Sequence, residues 1–213
     1  HTVRISGAPS NIYLTHANRS LASAFPALAE TVDGKTKLKI RIYKYPKSST
    51  ARLLGLKSGG SSTLSNLILS YAENTADFRE PGSTEPVIVV YDNDDGAKKI
   101  RNVVKQVSKF QPTGTESFVH IVKNLYAVPT PIQSIDQQSK IENLFDDQVR
   151  NTVIDGKTFS GLNEFDAEKF YGKVVFAHKV IKPNAATINF DGFRPLLANI
   201  AAAITHHEQS VSK

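Results

Sequence analysis

Cysteine is absent from the 213 residues, which excludes disulfide scaffolds, thiol nucleophiles and thiolate metal sites together. Methionine and tryptophan are also absent, and no physical property of the chain accounts for that. No apolar run approaches the roughly 20 residues of a bilayer-spanning helix, so no transmembrane segment is expected. His1 to Ile12 holds no continuous apolar stretch of the kind a signal peptide carries, which makes the cytoplasm the expected compartment. The chain opens on His1 and enters patterned sequence almost at once, so it reads as a piece of a longer polypeptide.

What is present is the mix of a globular chain able to bury a core: 40% hydrophobic, 22% charged and 8% aromatic residues. Its length suits one domain, or one domain with a small appendage. The 26 basic residues outnumber the 20 acidic ones, for a net charge of +6. That surplus favours nucleic acid or another polyanion as partner, although many basic enzymes of small substrates carry as much.

Strands and helices alternate through the first part of the chain. Thr2 to Ile5 is a short candidate strand, and Ser10 is placed to cap a helix from Asn11 to Ala24 that Pro26 ends. Lys37 to Tyr43 alternates charge and hydrophobe with period two, the mark of a half-exposed strand. The loop Ser58-Gly59-Gly60-Ser61-Ser62 opens a helix with Leu64, Leu67, Ile68 and Tyr71 at helical spacing. Pro86 to Tyr91 is a continuous β-branched run, as in a strand buried on both faces of a parallel sheet. After Asp92-Asn93-Asp94-Asp95-Gly96 comes a helix with Ile100, Val103, Val104, Val107 and Phe110 on one stripe and Lys98, Lys99, Arg101, Lys105 and Lys109 opposite. Phe118 to Val128 reads as one further strand, stopped by Pro129 and Pro131.

Beyond about residue 132 the pattern turns helical, at Ile141 to Phe145, Tyr171 to Ile181 and Phe193 to Ile204. Asp191 is placed to cap the last of these, with Pro195 in its first turn, and His207 to Lys213 reads as a frayed end. Alternating strands and helices imply a parallel sheet with helices on its faces. The expected organisation is an α/β core over residues 1–131 and a helical extension over 132–213, packed on or next to it.

The carboxylates Asp92, Asp94 and Asp95 carry the most chemistry. Ligands of open α/β sheets bind beyond the carboxyl ends of the strands, where these acids fall. Alternate residues of an extended chain point the same way, so Asp92 and Asp94 can converge. Two close carboxylates repel unless a cation neutralises them, and Mg²⁺ takes one or two carboxylates and completes its shell with water and phosphate oxygens. Asp, Asn and Gly are equally good turn formers, so the stretch also reads as a plain loop. The polymerase palm, which has paired acids in a hairpin, is set aside because a helical pattern follows Asp95.

Lys98, Lys99 and Arg101 are candidates for phosphate contacts, the alternative being a solvated helical face. Gly59 and Gly60 could present backbone N–H groups to a phosphate, but the loop lacks the lysine and spacing of a P-loop and reads equally as a flexible helix entry. His16, His120 and His178 are isolated, and His206-His207 lies near the end, so none is expected to form a site.

Val87 to Gly96, preceded by Leu54-Gly55-Leu56 and Ser58-Gly59-Gly60, resembles a TOPRIM domain, the metal-binding α/β module of topoisomerases, primases and overcoming-lysogenization-defect nucleases. The resemblance is closer to the TOPRIM extension of some retron reverse transcriptases. It is carried further by Asn11 to Leu14, Asn124 to Pro131, Gly156 to Phe159 and Phe176 to Ala185. It implies an α/β fold with a four-stranded, mostly parallel sheet flanked by helices. It also implies Mg²⁺ (or Mn²⁺) held by a glutamate after the first strand and by a DxD after a later one. The DxD falls on Asp92 and Asp94, with Asp95 beside them.

By the same resemblance the module is the toxic effector of an anti-phage system. It is held in check by a reverse transcriptase domain on the same polypeptide and by RNA-linked single-stranded DNA, and it cleaves cellular RNA, with tRNA the expected target. A homo-oligomer is compatible with this. The family glutamate should stand at Ser6, where this chain has Ser6-Gly7-Ala8-Pro9-Ser10. Serine is a poor base near neutral pH and a weak ligand for Mg²⁺. Either the copy is a degenerate module that binds nucleic acid or its own reverse transcriptase, or another carboxylate substitutes.

Overall fold

The computed structural model describes residues 2–5, 8–42, 60–77, 85–132, 134, 137–162 and 164–211. Its centre is β5 (Val87–Tyr91), whose Ile88, Val89, Val90 and Tyr91 are all buried. A strand this rich in β-branched residues is stable only when both faces are covered. Ile88 and Val90 pack with Tyr126 and Val128 on one face, and Val89 and Tyr91 with Leu125 and Ala127 on the other. Each such side chain taken from water contributes about 1.5–3 kcal/mol.

Beside β5 lie β1 (Thr2–Ile5) and β7 (Leu125–Pro129), both parallel to it. β1 pairs in parallel with the edge strand β4 (Arg41–Ile42), and β7 pairs antiparallel with the other edge, β6 (Val119–Val122). The order is β4-β1-β5-β7-β6, a mixed α/β sheet of five strands where four were expected. The extra strand arises because Phe118 to Val128 is a hairpin and not one strand. Lys123 adopts φ 52 and, with Asn124, reverses the chain. The buried Asn124 secures the turn by donating to the Glu85 carbonyl and accepting from the Tyr71 hydroxyl, each at 2.6 Å.

Similarly, the expected strand at Lys37 to Tyr43 is divided. β2 (Ala29–Val32) and β3 (Lys35–Leu38) form a separate hairpin closed by Asp33-Gly34, both at positive φ as a two-residue turn requires, and only Arg41 and Ile42 join the main sheet.

One face of the sheet is covered by α2 (Ser61–Thr75), through Leu64, Leu67 and Ile68, and by α3 (Ala97–Ser108), through Ala97, Ile100 and Val104. Phe110, expected on the α3 stripe, is exposed because Lys109 turns left-handed at φ 62 and the chain leaves the helix. α1 (Ala8–Ser20) covers the opposite face through Tyr13, Leu14 and Ala17, with Pro9 in its first turn.

Residues beyond 132 complete this second layer. They comprise a 3-10 turn (Ile141–Leu144), the short α4 (Asp147–Arg150), α5 (Lys173–Val175) continuing as a π-turn through Ile181, and α6 (Arg194–Val211). Phe145, Phe176, Phe193, Leu197 and Ile200 share one apolar cluster with Tyr13, Ile88 and Tyr126, so this segment is packed on the sheet. A short parallel pair, β8 (Thr158–Phe159) with β9 (Phe170–Tyr171), was not expected. The end expected to fray is helical to Val211, and its His207 is only 4% exposed. Among the described residues no helix is long and apolar enough to cross a membrane.

Candidate functional site

After β1 the chain turns to the β4 side of the sheet, and after β5 it turns to the β7 side. The carboxyl ends of β1 and β5 therefore flank the switch point where an open α/β sheet leaves a crevice for ligand. Ile5 lies beside Val90 in the ladder, so Asp92 emerges at that crevice. Ser6 and Gly59 lie outside the described residues.

The chain stays extended past Tyr91 because a strap comes back against it. Asn93 and Ser139 exchange backbone hydrogen bonds of 2.8 and 3.0 Å. The Thr130 hydroxyl accepts from Asn93 N at 2.9 Å and donates to the Ser139 carbonyl at 2.6 Å. Gln138 Nε2 donates to Asp95 Oδ1 at 2.8 Å, and Ile141 N donates to Asp92 Oδ1 at 2.9 Å. Residues 138–141 thus run along the acidic loop and hold Asp92 and Asp95.

Asp92 and Asp94 are each held by a backbone N–H, and Asp95 is bound by Gln138. Asp92 is half-buried, and its carboxyl is pushed up to about 6. Burial is the main cause, and the charge of Glu142 comes next. The Ile141 N–H and Lys173 oppose the rise, and Asp94 adds to it. Asp94 Oδ1 accepts from Gly96 N at 2.9 Å. A Cβ at Gly96 would lie 3.1 Å from that oxygen, so glycine lets α3 begin this close to the acid.

Two residues that sequence reasoning missed, Glu142 and Lys173, bring their charges to bear on Asp92. Glu142 is 3% exposed, and neither of its carboxylate oxygens has a hydrogen-bond partner. Among the described residues its ion pair is with Lys173, whose Nζ lies 3.1 Å from Oε2 at an angle unsuited to a hydrogen bond and which is 27% exposed. The Tyr13 hydroxyl donates to the Lys173 carbonyl at 3.2 Å and holds that backbone in place. Burial, then Glu142 and Asp92, push the Tyr13 hydroxyl far above its usual range, so it stays protonated. Only an acid in an apolar run, Ile141-Glu142-Asn143-Leu144-Phe145, hinted at this in the sequence.

The basic residues divide. Lys98 and Lys99 are exposed, and Lys99 Nζ donates to Ser62 Oγ at 3.0 Å, joining the first turn of α3 to that of α2. Gly60 caps α2 at φ 107. Arg101 instead turns inward, with Nη1 donating to Asn93 Oδ1 at 3.0 Å and to the Thr113 carbonyl at 3.1 Å. Beyond the strap a cleft of about 310 Å³ opens, lined by Gln138, Lys140, Glu142, Arg150 and Phe159 among others. His120, His206 and His207 are not isolated: they gather around Tyr126, whose hydroxyl is 3.0 Å from His206 Nδ1.

For Mg²⁺ the donors are of the right chemistry, hard carboxylate oxygens, and the orphaned pair on Glu142 marks negative charge in excess of its partners. Asp92 and Asp94 each commit one oxygen to a backbone N–H, which leaves one on each for a cation. Among the described residues, no three acids or histidines gather closely enough to hold a metal between them, so two carboxylates and water would make up the shell.

No protein-family model matches the chain, and no solved structure matches it.

Proposed function

We propose that the chain is a TOPRIM-type, Mg²⁺-dependent nuclease module acting on phosphodiesters of RNA, with tRNA the expected substrate, or of DNA. Within the same proposal it is the effector attached to a retron reverse transcriptase in anti-phage defence. The observation that supports the nuclease reading is the position of Asp92 just beyond β5, at the switch point of the sheet, with Asp94 two residues on and a helix, not a hairpin, following. The retron context rests on sequence resemblance alone.

In this reading Asp92 and Asp94 hold the cation. A Mg²⁺ ion held by these two carboxylates would supply Lewis-acid polarisation of the scissile phosphate and charge stabilisation on the leaving oxygen. Lys98 and Lys99, exposed on the first turn of α3, meet the flanking phosphates. The cleft beyond the strap, with Lys140 and Arg150 on its walls and the ring of Phe159 between them, offers cations for phosphate and an aromatic face for a base.

The test is cleavage of a mixed tRNA pool and of single-stranded DNA with Mg²⁺, repeated with Asp92→Asn and Asp94→Asn. Both variants should lose cleavage and Mn²⁺ binding while the circular dichroism spectrum is unchanged. Cleavage that survives in both would overturn the assignment. A second reading, a degenerate module that binds nucleic acid or its own reverse transcriptase domain, is favoured by Ser6 standing where the family carries glutamate. Cleavage that appears only after Ser6→Glu selects it.

A further inference from the structure

We infer that Glu142 is the third carboxylate of the cation site, accepting hydrogen bonds from the water shell of a divalent ion held by Asp92 and Asp94. The inference rests on the reading of those two aspartates as cation ligands.

Glu142 is 3% exposed although it borders the cleft. Its neighbour Ile141 is buried in the core and tied by its N–H to Asp92 Oδ1 at 2.9 Å. Phe145, three residues on, packs against Tyr13, Phe176 and Phe193. Gly192, just before α6, closes on the same turn so tightly that a Cβ there would collide with the Leu144 carbonyl. The carboxylate is therefore held inside, beside Asp92, by packing on both sides.

Held there, it is poorly matched. Native proteins satisfy almost every buried polar atom, and an exception calls for a specific explanation, an ion among them. Both Glu142 oxygens are such exceptions. Asp92, Asp94 and Glu142 bring three formal negative charges, against which Lys173 sets one positive charge. Arg150, on the nearby α4, is taken by Asp147 and by the Phe145 carbonyl. Lys140 lines the cleft alongside Glu142 but forms no ion pair with it. A purely structural Glu–Lys bridge would satisfy its oxygens with hydrogen bonds. Here neither oxygen receives a hydrogen bond, although Asp92 lies beside the same turn.

Mg²⁺ supplies such donors without Glu142 as a direct ligand. It dehydrates reluctantly and keeps several waters when one or two carboxylates hold it. Acceptors around an ion's immediate shell typically alter metal affinity 10–100-fold, so Glu142 should matter measurably even at one water's distance.

The test is Mn²⁺ binding by electron paramagnetic resonance, with folding checked by circular dichroism. The unmodified protein should bind, Asp92→Asn should not, and Glu142→Gln should bind about ten- to thirty-fold more weakly. Glu142→Gln binding within twofold of the unmodified protein, with Asp92→Asn null, would overturn this inference and leave the aspartate reading standing. An unmodified protein that binds no Mn²⁺ would overturn both. If Glu142→Gln fails to fold because Lys173 loses its partner, Lys173→Met is compared with Lys173→Met/Glu142→Gln. The same ten- to thirty-fold ratio between them supports the role, and a ratio near one refutes it.

Discussion

Two buried polar side chains flank the end of β5, Asn93 with every hydrogen bond made and Glu142 with none. On one side the buried Asn93 donates to the Gly114 carbonyl at 2.7 Å and to the Thr130 carbonyl at 3.3 Å, and accepts from Arg101 at 3.0 Å. Glu116 closes the same loop by accepting from Thr113 N and Gly114 N, each at 2.8 Å. On the other side Asp92 and Glu142 share Lys173, and Glu142 is left without hydrogen bonds. The two clusters alternate residue by residue along one extended segment, so the local backbone offers both the same opportunities. A chain that meets every requirement at Asn93 and leaves them unmet at Glu142 concentrates its strain where a ligand can relieve it. The satisfied cluster positions the loop, and the unsatisfied one is where chemistry is to be expected.

Breaking the satisfied side should have the largest effect. Asn93→Ala leaves the Gly114 carbonyl and the Arg101 guanidinium without a buried partner, and should lower unfolding free energy by about 3–5 kcal/mol in urea titrations, with or without Mg²⁺. Breaking the unsatisfied side should be milder and cation-dependent. Lys173→Met leaves the buried Glu142 without its counter-charge. Because Lys173 is 27% exposed, the loss should be about 2–3 kcal/mol, at the lower edge of what a buried pair costs. Millimolar Mg²⁺ should restore much of that in thermal melts by binding the folded state alone. A loss that Mg²⁺ leaves untouched would mean that the acidic cluster is only a salt bridge.

The third effect runs in the opposite direction. Asp92 rises from 3.8 in the unfolded chain to about 6 when folded. The folded state therefore holds the extra proton between those values, and the stability contributed by Asp92 falls as pH climbs through the window. Such a rise corresponds to at most about 3 kcal/mol, and partial exposure brings the expected figure to about 1–2 kcal/mol. Asp92→Asn should thus be more stable than the unmodified protein by that amount at pH 7.5 without divalent cations, and indistinguishable below about pH 4. Equal stability at both pH values would show that the carboxylate is not strained.

How much of this the sequence discloses depends on whether the cause is local. β5 and α3 are legible because each announces itself within a dozen residues, by a β-branched run and by an apolar stripe at helical spacing. The acids at the strand end are legible for the same reason. The β6–β7 hairpin is not, because Lys123-Asn124 carries no glycine to announce the turn and Asn124 is stabilised through Glu85 and Tyr71, far off in sequence. The hairpin at Asp33-Gly34 is the opposite case, since its Asp-Gly signal stood in the sequence and the alternation after it drew the reading away. Glu142 could not be read at all: its significance comes from the strap at Asp92, 49 residues before Ile141, and from Lys173. Arg101 looked like its basic neighbours because a helical wheel gives its face but not its reach inward to Asn93.

That difference within α3 supplies the smallest and most selective test of the comparison. Lys98 and Arg101 are three residues apart and carry the same charge, but Lys98 stands in solvent while Arg101 belongs to the satisfied cluster. If nucleic acid lies along the open end of α3, each phosphate contact contributes about one unit to the slope of log affinity against log salt. Lys98→Ala should therefore reduce that slope by about one while moving stability by less than about 0.5 kcal/mol. Arg101→Ala should do the reverse, lowering stability by about 1 kcal/mol through the lost bond to Asn93 and leaving the salt slope of the folded protein alone. Fluorescence anisotropy with a short single-stranded RNA at several salt concentrations measures the slope, and urea unfolding measures the stability. Were Arg101→Ala to change the slope as much as Lys98→Ala, the guanidinium would be exchanging between Asn93 and phosphate, and the division between positioning and binding residues would fail at this residue.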